Sequence, residues 1–343
     1  MFSSSLIVAP MAGGPSTPEL VTAAAQAGAL GFLAAGYLSA QALKAQLEQV
    51  RDAGVDYGVN LFVPTEYAPA DLATDRAMIL QYRNTLEAEA LRYGIDLPEV
   101  PGPEAHDFWQ DDDGWQEKLD LLLAQPAPWL SFTFGLPGRA EIDALHRAGS
   151  RLLATVTTVE EASAAQDRGV DALVVQHSSA GGHSGAFLSP ETLGPADLPS
   201  LVQALRRTSP LPLVAAGSIS NRTAVDAALQ AGADAVQCGT AFLLAEEAGT
   251  RRLHRAALES GHFHTTARTR AFTGRWARGL ENRFIREHPD APRGYPQIHR
   301  ITAPLRAAAA QAGDAEAMSL WAGSGFGEVS SGSTAQIVGR LLG

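Results

Sequence analysis

The chain has 343 residues, 45% hydrophobic and 18% charged, with 26 basic against 37 acidic residues and a formal net charge of −11. This is a globular composition with room for a sizeable core, in one large barrel or two domains, and the acidic balance argues against nucleic acid as a partner. No stretch is long and apolar enough for a membrane-spanning helix, and residues 1–8 lack the basic and apolar regions of a signal peptide. The single cysteine, Cys238, excludes an internal disulfide, so the expectation is a cytoplasmic protein.

Leu6-Ile7-Val8-Ala9 reads as a first strand that ends in the small-residue turn Pro10-Met11-Ala12-Gly13-Gly14. Ser16 or Thr17 can cap a helix with Pro18 and Glu19 in its first turn and Gly28 at its end. Residues 30–34 form a second apolar run, a helix over 40–52 stops at Gly54, and residues 57–62 are a third strand. The unit recurs at residues 129–134, 151–156, 171–175, 211–216 and 234–238, with small-residue turns at Gly149, Gly169 and Gly232 ahead of three of them. The runs are short and continuously apolar, as in strands buried on both faces of a parallel sheet. Eight strand–helix units predict an α/β fold, a (β/α)8 TIM barrel, over residues 1–245 and 318–343. An open doubly wound sheet is the alternative; its GxGxxG fingerprint is missing from the first turn.

Two segments interrupt the count. Residues 63–128 form an insert after the third strand, with a helical stretch over 73–93, a Pro-rich turn over 98–103 and the run Asp111-Asp112-Asp113. That run lacks the ligand spacing of a calcium loop and reads as solvated surface. Residues 246–317 read as a smaller, mainly helical domain inserted near the C-terminus, a cap over the barrel mouth. From Arg251 to Arg306 this segment carries 12 arginines against four acidic residues. Such a surface could draw anionic substrates; the simpler reading is that it pairs with the acidic insert or a second subunit.

The sixth strand runs into Gln176-His177-Ser178-Ser179-Ala180-Gly181-Gly182-His183-Ser184-Gly185. A loop this small lets its backbone approach a ligand, and it leaves His183 on a tight turn. His183 therefore reads as a catalytic histidine; a solvent histidine on a flexible Gly/Ser loop is the alternative. Ligands of such barrels sit at the carboxyl ends of the strands. There, the turns at Gly217 and at Gly239-Thr240 can hold a phosphate through their backbone N–H groups and the Thr240 hydroxyl, or else only close the barrel. Asn60 and Gln176 end strands at the same mouth, and an amide suits a ring edge bearing N–H and C=O groups. A phosphate plus such a ring suggests FMN. His177 reads as a loop histidine and Cys238 as small-residue packing.

The ordered set Pro10-Met11-Ala12-Gly13-Gly14, Asn60, Ala180-Gly181-Gly182-His183, Ala216-Gly217, Gln237-Cys238-Gly239-Thr240, Gly274-Arg275, Ala277-Arg278-Gly279, Tyr295-Pro296 and Leu320-Trp321-Ala322-Gly323 resembles the nitronate monooxygenase family over nearly the whole chain. The resemblance implies an FMN barrel with a smaller substrate domain. The activity it implies is oxidation of alkyl nitronates with O2 to a carbonyl compound and nitrite. By position, it implies that Met11, Ala12, Asn60, Gln176, Gly181, Gly182, Gly217, Gln237, Cys238, Gly239 and Thr240 bind FMN. His183 would be catalytic, Tyr295 and Trp321 would line the mouth, and no metal is implied. His177 and Ser179 stand where members usually carry glycine and glutamate, and Ser324 where a glutamine is common. The rival readings are a flavin-dependent NAD(P)H enoyl thioester reductase, a flavin-free isomerase or lyase on a phosphorylated substrate, and a flavin-binding protein without turnover. The expected partners are a small nitronate and O2, with a homodimer as one option for assembly and no nucleic acid or membrane.

Overall fold

Eight parallel strands close into a barrel: β1 (Leu6–Val8), β2 (Leu30–Ala34), β3 (Tyr57–Phe62), β4 (Trp129–Thr133), β5 (Arg151–Val156), β6 (Ala172–Gln176), β7 (Leu213–Ala216) and β8 (Ala235–Cys238). The structure is a computed structural model, and it describes residues 2, 4–64, 69–188, 191 and 194–343. Ile7 lies opposite Leu30 on one side and Gln237 on the other, and this register closes the ring. The predicted barrel is therefore the observed one.

Alternate residues of each strand face opposite ways. Ile7, Phe32, Trp129, Leu153, Val174 and Val214 belong to one buried cluster that fills the barrel interior. The residues between them, such as Val8, Leu33, Val59, Leu130 and Leu152, pack outward against the helices. Each such fully buried aliphatic side chain contributes about 1.5–3 kcal/mol. Phe2 stacks on Trp129 with ring centroids 5.1 Å apart, at the amino-terminal end of the barrel. At the carboxyl end the inward positions change character. Two residues on from Gly58, Leu153, Val174 and Ala235 come Asn60, Thr155, Gln176 and Gln237, and Ser131 and Thr133 follow Trp129. The sequence thus leaves a polar tier at the one end of the barrel where ligands bind.

Helices α1 (Pro18–Gln26), α2 (Ala40–Asp52), α3 (Trp115–Ala124), α4 (Arg139–Arg147), α5 (Val159–Arg168), α6 (Leu198–Thr208) and α7 (Arg222–Gln230) follow β1 to β7 in turn. Helix α8 (Thr334–Leu342) packs on α1 and α7 and takes the eighth place. Side chains of Thr17, Ser39, Thr158, Asp197, Asn221 and Ser333 cap α1, α2, α5, α6, α7 and α8 by accepting an N–H of the first turn.

The chain divides into two compact units, Met1–Pro64 with Asp112–Arg251 and Gly323–Gly343, and Thr65–Asp111 with Arg252–Ala322. This differs from the expected boundaries. Residues 112–128 stay with the barrel, because α3 is the ordinary crossover from β3 to β4; residues 65–111 cluster instead with the Arg-rich segment. Residues 65–68, inside the expected insert, lie outside the described residues. The reason lies in long-range contacts within the second unit. The Tyr82 hydroxyl donates to the Ala271 carbonyl at 2.7 Å, and the Gln297 side-chain amide donates to the carbonyls of Phe108 (3.0 Å) and Trp109 (3.2 Å). Arg283, Arg293 and Arg300 pair with Glu89, Asp75 and Asp111. Part of the arginine excess is therefore spent on the acidic insert. The unit also holds an antiparallel hairpin, β9 (Thr266–Thr269) with β10 (Ala277–Leu280).

The acidic run is more than solvated surface. Asp113 accepts the Tyr37 N–H at 2.9 Å and pairs at 2.7 Å with Lys118, whose side chain is 1% exposed. Among the described residues no group of His, Cys, Asp and Glu is placed to hold a metal ion, and no helix is long and apolar enough to cross a membrane.

Candidate active site

The polar tier forms a connected floor. Asn60 Nδ2 donates to the Ser131 Oγ at 2.8 Å and the Thr133 Oγ1 at 3.0 Å, and Thr133 Oγ1 lies 3.4 Å from Thr155 Oγ1. Gln176 stands further round the same mouth. Its Nε2 donates to the His183 carbonyl at 3.0 Å, and its Oε1 accepts the Gly185 N–H at 2.7 Å. Both ends of the expected cofactor amide are thus used to hold the histidine loop.

That loop is fastened at two further points. Glu161, fully buried at the start of α5, accepts the N–H groups of Phe187 and Leu188 on one oxygen and the N–H and hydroxyl of Thr157 on the other. His177, expected to be a plain loop histidine, is 8% exposed. Its Nε2 lies 3.0 Å from the Pro195 carbonyl, which can only accept, so Nδ1 is the acceptor for the Ser179 hydroxyl (2.8 Å) and N–H (3.2 Å). His183 is therefore carried on a braced loop, not a flexible one. Its imidazole stands edge-on to Phe134, centroids 6.0 Å apart.

The turns after β6, β7 and β8 meet at Gly323-Ser324. The Gly323 N–H donates to Thr240 Oγ1 at 2.9 Å, and the Ser324 N–H donates to the Ser179 carbonyl at 3.1 Å. The Ser324 and Ser218 hydroxyls are 2.9 Å apart. Ser179 and Ser324, two of the departures from the family pattern, are thus in direct contact. A Cβ at Gly217 would lie 3.0 Å from Ser179 Oγ and 3.1 Å from His177 Cβ, so the β7 turn runs close under the β6 loop. Among the described residues the N–H groups of Gly217, Gly239 and Thr240 meet no protein acceptor. The Met11 side chain packs beside Gly239, and its N–H donates to Ser16 Oγ at 2.8 Å; Ala12 follows it half-buried in the same turn. Gln237 faces inward between Ile7 and Ala216, and Gly181 lies close to Gly323. Gly182 is in the left-handed region at φ 76°. Burial pushes the Cys238 thiol up to about 12, which makes it a packing residue and no nucleophile.

Tyr295 and Trp321 lie in the second unit. Tyr295 precedes a cis proline, and Trp321 packs edge-on to Phe272 with centroids 5.7 Å apart. Sequence reasoning missed the aromatic group on the barrel side. Phe134 lies 4.6 Å from Phe62, and Phe62 lies 5.4 Å from Tyr37, between ring centroids. It also missed where strain collects. Tyr37, Asp113, Phe134 and Ser218 are the non-glycine residues with positive φ among those described. Tyr37, Phe134 and Ser218 follow β2, β4 and β7, and Asp113 holds the Tyr37 N–H. Each costs about 1–3 kcal/mol, and such strain gathers at functional sites.

The nitronate monooxygenase family profile matches residues 2–343. A probable nitronate monooxygenase of Staphylococcus aureus (strain JH9) is 36% identical over 326 residues, 93% of this chain and 87% of that protein. The nitroalkane oxidase structure from Streptomyces ansochromogenes is 41% identical with a TM-score of 0.90, covering 99% of this chain and 95% of that one. FabK from Thermotoga maritima shares the fold at 22% identity and a TM-score of 0.70, over 99% of this chain and 92% of its own. With a barrel whose last three turns converge beside a braced histidine loop, and with relatives matching it nearly end to end, this chain belongs to the nitronate monooxygenase family and is a flavin-dependent oxidoreductase.

Proposed function

We propose that the enzyme uses FMN to oxidise alkyl nitronates with O2, giving a carbonyl compound and nitrite. The observation that carries this reading is the trio of N–H groups at Gly217, Gly239 and Thr240, left without protein acceptors where three barrel turns meet beside the His183 loop. Backbone donors of this kind fit a phosphate monoester, and FMN carries one. Asn60 and Gln237 would supply amide partners for the ring, and Gln176 would add the N–H and the lone pair that its loop contacts leave over, with Met11, Ala12, Gly181 and Gly182 as backbone neighbours; Cys238 would pack beneath the phosphate turn. The donor set fits the group that the family implies.

A bound flavin supplies the electron transfer between nitronate and O2. The remaining work falls to the chain's own residues. An imidazole can donate at one ring nitrogen and accept at the other. At His183 the donating nitrogen would hold the anionic nitro oxygens, and the accepting nitrogen would take the α-proton of a neutral nitroalkane. Gln176 and Glu161 act earlier, by keeping the loop that carries this imidazole in one position. Tyr295 and Trp321 are proposed lining residues of the substrate site. The nitroalkane oxidase activity named for the Streptomyces relative supports the same substrate class.

The test is a visible spectrum of the purified protein, mass analysis of the chromophore it releases, and nitrite release from ethyl nitronate in air. Yellow protein, FMN in the extract and nitrite formed in step with nitronate consumed are expected. Colourless protein would overturn the reading. So would NADH oxidation that depends on an enoyl thioester, with no nitrite from nitronate.

A further inference from the structure

We propose that Tyr37, Phe62 and Phe134 form the subsite for the carbon substituent of the substrate, and that they select nitronates bearing an apolar, planar group over small ones. The proposal rests on the nitronate reading above and names the substrate class within it. The three rings run in sequence from the mouth edge to His183. Tyr37 stands edge-on to Phe62, Phe62 tilts against Phe134, and Phe134 stands edge-on to the His183 imidazole. Edge-on and tilted contacts of this kind are the favoured aromatic geometries, and a further planar group can extend them.

The wall is built, not incidental. Tyr37 and Phe134 both sit at positive φ, 68° and 78°, where a bulky side chain is an outlier. Asp113 fixes the first by accepting the Tyr37 N–H, and the buried Lys118 fixes Asp113 in turn. Gly36 leaves the space for Phe62, because a Cβ there would lie 2.2 Å from the ring. Tyr37 is 38% exposed and Phe62 half-buried, so the outer rings of the row still present surface, while Phe134 at 5% exposed closes it beside His183. An apolar face next to the group that would hold the nitro oxygens offers a place for the rest of the molecule.

The test uses the flavin-loaded full chain and the nitronates of nitroethane, 1-nitrobutane, 1-nitrohexane and 1-nitro-2-phenylethane. For the wild type, kcat/KM should rise about threefold to fourfold per added methylene, mostly through KM, with the phenyl member highest. Phe134→Leu and Phe62→Leu should each lower kcat/KM for the phenyl member roughly tenfold more than for the ethyl member. Phe62 has an ordinary φ, so its variant answers the question if Phe134→Leu fails to fold. A flat wild-type series overturns the proposal. So does an equal loss for every substrate with a changed flavin dissociation constant, which would give the wall to the cofactor. If no nitronate releases nitrite, the functional reading fails by itself. Calorimetric titration with neutral nitroethane and 1-nitro-2-phenylethane then reads the subsite: tighter phenyl binding that Phe62→Leu abolishes supports it, and equal binding overturns it.

Discussion

At the scale of single residues, the site separates a group that would meet the substrate from groups that hold it there. His183→Ala removes an imidazole on a loop whose bracing comes from other side chains. Flavin content and melting temperature should stay near wild type while nitrite release falls about 10²–10⁴-fold, the usual weight of general acid–base and anion-holding groups. Nitrite release within a factor of two of wild type would remove His183 from the mechanism. Glu161→Ala should do the opposite. It deletes a buried acceptor and leaves the N–H groups of Thr157, Phe187 and Leu188 without it, so urea unfolding should show a loss of at least about 2 kcal/mol. An unchanged midpoint would mean that water or a neighbour takes over those donors. The place of His183 on a turn after the sixth strand was legible in the sequence because two glycines precede it after an apolar strand. Glu161 was not, because an acid in the first turn of a helix is normally a solvated partner of the helix dipole. Phe62 and Phe134 were illegible for a similar reason, since an aromatic residue at a strand end reads as core.

At the scale of elements, the strands were legible because burial on both faces leaves a continuous apolar run, and the first cap because Thr17 precedes its helix at the right offset. What the pattern does not carry is the meeting of distant turns. Gly323-Ser324 arrives after the whole second unit and still contacts the turns of β6, β7 and β8 through Ser179, Ser218 and Thr240. Gly323→Ala tests whether that closure holds the phosphate turns. A Cβ at this position would lie 3.0 Å from the Ser179 carbonyl and 3.2 Å from the Gly181 N, both backbone atoms. Overpacking of this kind costs about 1–3 kcal/mol. The expected result is a flavin dissociation constant raised roughly tenfold, which is 1.4 kcal/mol, with circular dichroism unchanged. Equal flavin affinity in the two proteins would show that the turns keep their positions without this segment. Ser179 and Ser324 make the same point about the family pattern: two departures that look independent in sequence are one contact in the fold.

At the scale of the whole molecule, charge and burial both work against the protein as pH falls. The formal net charge is −11 at pH 7 and the sequence pI is about 5.3, so acidification first removes the charge that keeps copies apart. The second unit adds a stability term of the same direction. Burial, helped by the Arg306 guanidinium beside it, lowers the His299 pKa from 6.5 to about 3. Its Nδ1 is the acceptor for Arg306 at 3.3 Å, so the neutral ring is the one that fits. Between these two values the unfolded chain binds a proton that the folded chain refuses. Stability therefore falls as pH drops through 6.5, by up to about 1.4 kcal/mol per pH unit, and the loss continues toward pH 3. Carboxylates add their own losses lower in the range, so only a difference between two proteins isolates the histidine. His299→Gln keeps an acceptor for Arg306 and cannot titrate. Urea midpoints measured at pH 7.5, 6.5 and 5.5, at low protein concentration to avoid association near the pI, should decline more steeply for the wild type than for the variant. Parallel declines would mean that His299 takes up its proton without cost, and that the packing around it yields more readily than its burial implies.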